Sequence, residues 1–186
     1  FERIGRRWRE RMVGLTDTGD ALAFTHHRTP AEPDLDLPDP VNAEEGDIFE
    51  YCQPARDLAS SVARRIVENG GAALFIDYGH MRSGFGDTLQ AVRRHQYWPP
   101  LAAPGSADLT AHVDFDAINR SGIESGASVY GPTTQGKFLD KLGLALRVEA
   151  LAKGKNEKDA DAVRQGAWRI SAPNQMGEIF KVVCFT

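Results

Sequence analysis

Two short stretches of this sequence carry side chains that could do chemistry. Asp77-Tyr78-Gly79-His80 follows directly on the apolar run Ala72-Ala73-Leu74-Phe75-Ile76. In an open α/β sheet, ligands sit beyond the carboxyl ends of the parallel strands, so Asp77, Tyr78 and His80 are candidates for a site. The alternative is that Asp77 caps the loop and Tyr78 packs. The second stretch, Asp108 to Asp114, holds two carboxylates and His112. Period-two alternation from Leu109 onward puts His112 and Asp114 on one face. A neutral imidazole there could accept a proton or orient a substrate nitrogen. The plainer readings are a structural histidine and an aspartate that caps the following helix. Thr133, Thr134 and Gln135 follow a Gly-Pro turn and offer hydrogen bonds without charge, or else cap the next helix. His26 and His27 fall at a hairpin end and are expected to face solvent. A zinc site built from His80, His95, His112 and a cysteine is disfavoured, because the spacing matches no compact ligand pattern.

The elements that must position these residues follow from periodicity. Trp8 to Leu15 and Ala21 to Thr25, around the turn chemistry of Asp17 to Asp20, read as a hairpin over residues 8–25. Thr29 to Gly46 holds Pro30, Pro33, Pro38 and Pro40, with Pro54 beyond as a fifth, among Asp and Glu. Proline removes donors and disfavours helix before it, so this reads as an extended surface loop. From Pro54 to Gly71, Leu58, Val62 and Ile66 lie four apart beside Ala59, Ala63 and Val67, the stripe of an amphipathic helix. The Ala72–Ile76 run then reads as a strand buried on both faces. Helix, double glycine and strand make an α/β unit.

Gly79 to Ala111 shows no clear period and is expected to be an ordered binding loop of about thirty residues. After it, Asp114 caps a helix from about Phe115 to Glu124, and Ala127 to Tyr130 forms a strand. A short helix from Thr134 ends at Gly143. Another runs to about Lys153, and a polar connection spans Lys155 to Asp161. A last helix reaches Ile170, and Ile179 to Phe185 is a terminal strand. The α/β part thus covers residues 54–186.

Composition narrows the function classes. The 186 residues, 41% hydrophobic and 26% charged, fit about one globular domain. No apolar run approaches the roughly 20 residues that a membrane helix needs. With 22 Lys plus Arg against 26 Asp plus Glu, the net charge is −4, which disfavours binding to a phosphate backbone. Nucleic acid is therefore not the expected partner. The cluster Arg3, Arg6, Arg7, Arg9 and Arg11 looks like a targeting presequence, but Glu2 and Glu10 interrupt it and the chain opens on Phe1. The start reads as a cut. Cys52 and Cys184 form no metal-spaced pair and are expected to be free thiols of a reducing compartment.

Four stretches in order, GGAALFIDYGH (70–80), PGSADLTAHVDF (104–115), GPTTQGKFLDKLGL (131–144) and MGEIFKVV (176–183), resemble the MidA-like family of class I S-adenosylmethionine-dependent methyltransferases. These are bacterial relatives of the mitochondrial protein-arginine methyltransferase that helps assemble respiratory complex I. The resemblance covers nearly the whole chain. It implies an α/β, Rossmann-like three-layer sandwich of which this chain is the C-terminal half, with an N-terminal hairpin. Its strands would be the family's fifth (72–77), sixth (127–130) and antiparallel seventh (179–185).

The family's glycine-rich turn, acidic second-strand residue and Asn-Glu-Phe-Phe-Asp-like segment do not occur here. The cofactor-binding half is thus expected to be absent, with S-adenosyl-L-methionine the cofactor of the whole. The implied reaction is in-line methyl transfer to a nitrogen, arginine in a protein partner. Asp77, Asp108 and Asp114 would hold the guanidinium by bidentate hydrogen bonds. Asp77, His112 and Asp108 are then the catalytic candidates, and Tyr78, His80, Asp114, Thr134 and Gln135 the substrate-binding ones. The implied partner is a protein substrate such as a complex I subunit, in the bacterial cytoplasm or the mitochondrial matrix. An exposed edge on the fifth strand would invite self-association. The rival reading is a non-catalytic assembly module that binds a partner through the Gly79–Ala111 loop.

Overall fold

The computed structural model describes residues 1–31 and 35–186, so Pro33 of the proline-rich stretch lies outside the described residues. The chain divides into two units, each interrupted by the other in sequence: 1–52 with 84–111, and 53–83 with 112–186.

The first unit is built from short antiparallel pairings. Strands β1 (Glu2–Ile4) and β2 (Arg7–Arg9) form one hairpin. Strands β3 (Arg11–Leu15) and β4 (Leu22–His26) form a second. The expected single hairpin over 8–25 is therefore two, because Gly5, at φ +63°, turns the chain before Trp8. The indole of Trp8 is 4% exposed among Phe49 and Ala43, with its Nε1 donating to the carbonyl of Pro38. That bond and the Phe85 ring, 5.8 Å from Trp8, tie the proline-rich stretch and residue 85 to one small core. Within the stretch Asp39 caps a 3-10 turn over Pro40–Asn42, so it is not extended throughout. His26 does not simply face solvent; its Nε2 lies 2.8 Å from Glu2.

Residues 79–111 are not an irregular loop. They hold β6 (Gln90–Arg93), β7 (Gln96–Trp98) and β8 (Asp108–Thr110), in the order β7-β6-β8. The β6–β7 turn places Arg94 and His95 at φ +52° and +63°, a left-handed conformation normally signalled by Asn-Gly or Gly. Without that signal the hairpin leaves no mark in the sequence. Arg11 reaches across to Asp87 with two parallel hydrogen bonds of 2.8 and 2.9 Å. This fork holds the Asp87 carboxyl below its ordinary range.

The second unit is a mixed sheet with helices. Helix α1 (Gln53–Asn69) leads into β5 (Ala73–His80). Then come β9 (Val113–Asp114), α2 (Phe115–Glu124), β10 (Val129–Thr134), α3 (Gln135–Lys141), α4 (Leu144–Ala152), α5 (Glu157–Ser171) and β11 (Phe180–Phe185). The connection before α5 is shorter than expected, because Asn156 caps the helix by accepting from the Asp159 amide. Strand order is β10-β11-β5-β9. The terminal strand β11 runs antiparallel to both neighbours, so β5 and β10 point the same way, as the three-strand expectation requires.

One face of this sheet packs on α1 and α2. Phe115, Val183, Phe185, Ala59 and Ala63 are fully buried there with Ala73 and Phe75 beside them. The buried stripe of α1 is Ala59-Ala63-Ile66, while Leu58 and Val67 are 58% and 54% exposed. Small alanines let α1 approach closely, so the row beside them stays out. The other face of β5 is not buried: Leu74, Ile76 and Tyr78 alternate outward and are 40–50% exposed. The expectation of a strand buried on both faces fails here, because the helices that contact β5 cover one face only.

Candidate functional site at the carboxyl end of β5

The end of β5 is fixed by its neighbours. Gly79 pairs with Val113 and His80 with Asp114 in parallel register, and a Cβ at Gly79 would run into the Val113 carbonyl and, at 2.8 Å, the Phe115 ring. Only glycine lets β9 come this close, and that approach brings His80 and Asp114 together. His80 Nδ1 lies 2.7 Å from the Arg82 carbonyl and 3.9 Å from Asp114 Oδ1. A carbonyl only accepts, so Nδ1 carries the proton and a neutral ring keeps its lone pair on Nε2.

Asp114 does the work of an N-cap. Its Oδ1 accepts from the amides of Asp116 and Ala117, each at 3.0 Å, and its Oδ2 accepts from Ser83 Oγ at 2.6 Å. The capping reading made from the sequence therefore holds. Asp116 Oδ2 stands 3.2 Å from the same hydroxyl and 3.5 Å from Arg120 Nε. Arg120 Nη2 also reaches Ser83 at 3.4 Å. Ser83, Asp116 and Arg120 were not legible as site residues. The only trace is the i,i+4 acid–base spacing on α2, since Ser83 lies in irregular chain after β5.

Asp77 is exposed, and its carboxylate accepts from the Tyr78 amide at 2.8 Å. The Tyr78 ring stacks on Phe180 with centroids 4.1 Å apart. Opposite Asp77 on β11 is Lys181, 9% exposed. Its Nζ donates to the carbonyls of Glu178 and Ile179 at 2.5 and 3.3 Å. Burial pushes this ammonium below its ordinary value, with Glu178 opposing the shift. A lysine inside an apolar terminal run was its only sequence signal.

The remaining candidates divide. His112 is half-buried at the entry to β9 in this unit. Asp108 is exposed on β8 of the first unit, paired with Val92. Thr134 and Gln135 are buried: Thr134 Oγ1 accepts from the Lys137 amide at 3.4 Å and Gln135 Nε2 donates to the Ile170 carbonyl at 2.7 Å. Cys52 and Cys184 are free. Among the described residues no three His, Cys, Asp or Glu side chains are grouped to hold a metal ion, and no helix is long and apolar enough to cross a membrane.

Residues 1–133 match the model of a family described as putative S-adenosyl-L-methionine-dependent methyltransferases. The chain is 35% identical over 184 residues to a protein named mitochondrial protein arginine methyltransferase NDUFAF7 of Mus musculus, covering 97% of this chain and 41% of that one. The Homo sapiens protein of that name is 34% identical, over 97% of this chain and 40% of its own length. A solved Burkholderia thailandensis structure bound to S-adenosyl-homocysteine superposes with a TM-score of 0.81 at 30% identity, covering 97% of this chain and 48% of that one. The chain thus spans less than half the length of these relatives.

Proposed function

The chain belongs to this family of S-adenosyl-L-methionine-dependent methyltransferases, and from that premise we propose that it supplies the acceptor side of a protein-arginine methyltransferase. The observation that carries the proposal is the pairing of His80 with Asp114 at the carboxyl end of β5, in a chain about one-third identical to proteins named for arginine methylation.

The described residues do not fit the cofactor itself. No strand of the sheet here runs through a glycine-rich turn into a helix, the arrangement that would aim amide donors at a carboxylate. Instead β5 passes into Met81-Arg82-Ser83. No step is therefore routed through the cofactor, and the isolated chain is proposed to bind it weakly and to be inactive alone. What these residues do fit is a cationic nitrogen acceptor. An arginine guanidinium is protonated at neutral pH and planar, so it must be oriented and must lose a proton. Asp77, which alternates to the face of β5 opposite Tyr78 and His80, stays in the proposed set as an exposed carboxylate able to pair with a guanidinium, and the orienting charge beside His80 is that of Asp114. The Nε2 lone pair of His80 receives the proton, its ring held by the Arg82 carbonyl. Tyr78, backed by Phe180, offers a wall for the aliphatic stem. His112 flanks this edge as a second orienting group. Thr134 and Gln135 stay in the proposed substrate set as supports, and Asp108, on β8 of the first unit, stays a proposed catalytic residue on the family resemblance alone.

The relatives are named as mitochondrial. For this chain a complex I subunit as substrate, and a matrix or bacterial cytoplasmic site of action, are proposals of the same reading. Transfer of labelled methyl from S-adenosyl-L-methionine to arginine in a protein substrate, by a full-length protein carrying this sequence, tests it. His80→Asn should cut turnover by about 10²-fold or more, the usual range for a lost general base, without changing cofactor affinity. Unchanged turnover removes His80. In calorimetry on the 186-residue chain, a low-micromolar dissociation constant for the cofactor would show that the cofactor site has been misplaced.

A further inference from the structure

The second unit carries a groove of about 790 Å³ between α3, α4 and α5, within the roughly 300–1,000 Å³ of ligand sites. We propose that this groove holds an amphipathic, arginine-bearing helical segment of the protein substrate. The inference rests on the reading above and names a second place where the substrate is gripped.

The first observation is an apolar helix left uncovered. Seven of the nine residues of α4 are Leu, Ala or Val, and none is buried. A helix apolar on most of its circumference is ordinarily buried. Leu144, Val148 and Ala152 line the groove with Ala167 and Trp168 of α5. Leu146 and Leu142, 72% and 68% exposed, continue the apolar surface past it. A small molecule would leave that outer surface bare, whereas a helix laid along the groove covers it through anchors at i, i+3, i+4 and i+7.

The second observation is charge. Arg164, on the groove wall, is already held by Glu157 at 3.2 Å and Asp161 at 3.6 Å. Asp140 and Glu149 also line the groove, and neither has an ion-pair partner among the described residues. Lys153, at the end of α4, also lines the groove and has no ion-pair partner among the described residues. The rim therefore offers two carboxylates beside the half-exposed ring of Trp168, a set that receives guanidinium through hydrogen bonds and cation–π contact. The third observation is place. Gly136 lines the groove on the first turn of α3, two residues past the end of β10, which runs parallel to β5. A segment seated there can continue to the sheet edge where His80 lies.

The test is fluorescence anisotropy of the 186-residue chain with a labelled fifteen-residue peptide, Leu and Ala on one helical face and Arg on the other. Micromolar binding is expected, weakened at least tenfold by Trp168→Ala and by the pair Asp140→Lys with Glu149→Lys. All three positions are at the surface, and circular dichroism checks that the variants fold. The same peptide with Glu in place of Arg should not bind. Equal binding of the Glu peptide, wild-type affinity in the variants, or no binding at all overturns the proposal. So does sedimentation showing a dimer that Trp168→Ala dissolves, which would give the groove to a second copy. Binding is read without methyl transfer, so peptide binding in a protein that methylates no arginine would fail the earlier reading and leave this one standing.

Discussion

His80 and Asp114 face each other in register across the short parallel pairing of β5 with β9, 3.9 Å apart. The distance is too long for a hydrogen bond, and each side chain is already held elsewhere, His80 by the Arg82 carbonyl and Asp114 by two amides and Ser83. The carboxylate thus provides field and the carbonyl provides orientation at Nδ1, which leaves the outer nitrogen to the acceptor role proposed for it.

Separating the two duties of Asp114 is the direct check on this arrangement. Asp114→Ala removes the cap and should cost about 1–2 kcal/mol in denaturant unfolding. Asp114→Ser restores a capping oxygen without charge, so its stability should return to within about 0.5 kcal/mol. If the charge matters to the acceptor, methyl transfer by the full-length protein falls for Ser and Ala alike. Turnover that tracks stability instead would make Asp114 a cap and nothing more.

Gly122 sets how closely α2 packs on the terminal strand. A Cβ at Gly122 would lie 2.5 Å from the Phe185 ring, which is fully buried. Alanine inside a helix ordinarily helps by about 0.5–1 kcal/mol, but overpacking against a rigid ring costs about 1–3 kcal/mol. Gly122→Ala should therefore lower the melting temperature. A raised one would mean that the Phe185 ring has room to move.

The helices were legible in the sequence because each has a period or a cap, and the antiparallel terminal strand followed from the family resemblance. Asp114, Thr134 and Gly143 mark helix ends as expected, and β11 pairs antiparallel between β5 and β10. The β6–β7–β8 sheet was hidden because Arg94 and His95 make its turn without glycine. The half-bare face of β5 was hidden because an apolar run does not say what covers it. At the candidate site, Asp77, Tyr78 and His80 were visible from the strand end. Ser83 and Lys181 act through the polar groups of neighbouring turns, which no spacing encodes.

The Arg11–Asp87 fork gives the first unit a pH dependence of known sign. Hydrogen bonding to Arg11 lowers the Asp87 carboxyl and, in turn, raises the Arg11 guanidinium, so the two shifts agree. The folded value of Asp87 lies below its unfolded value of about 3.9. The stabilisation is therefore fully present above that pH and is lost as pH falls through the folded value. Asp87 is partly exposed, and solvent screening holds the contribution to about 0.5–1 kcal/mol. Asp87→Asn should flatten this part of the stability profile between about pH 5 and pH 2. An unaltered acid limb would assign it to other carboxylates.

The uncovered face of β5 predicts association of the 186-residue chain. Leu74, Ile76 and Tyr78 stand side by side on alternate positions, exposed by 48%, 43% and 42%, with Phe180, Val182 and Cys184 opposite them on β11. β9 pairs with β5 only at Gly79 and His80, which leaves the same strand without a described neighbour from Ala73 to Tyr78 along that edge. An apolar face beside an open edge gives a second chain both burial and backbone hydrogen bonds. Sedimentation should therefore show concentration-dependent association at tens of micromolar. Ile76→Lys places a charge in the middle of the face without touching the Phe75 side that packs on the core, and should return the chain to a monomer at little cost in stability. A wild-type chain that stays monomeric at high concentration would show that the face is tolerated in water, and association that survives Ile76→Lys would move the contact elsewhere.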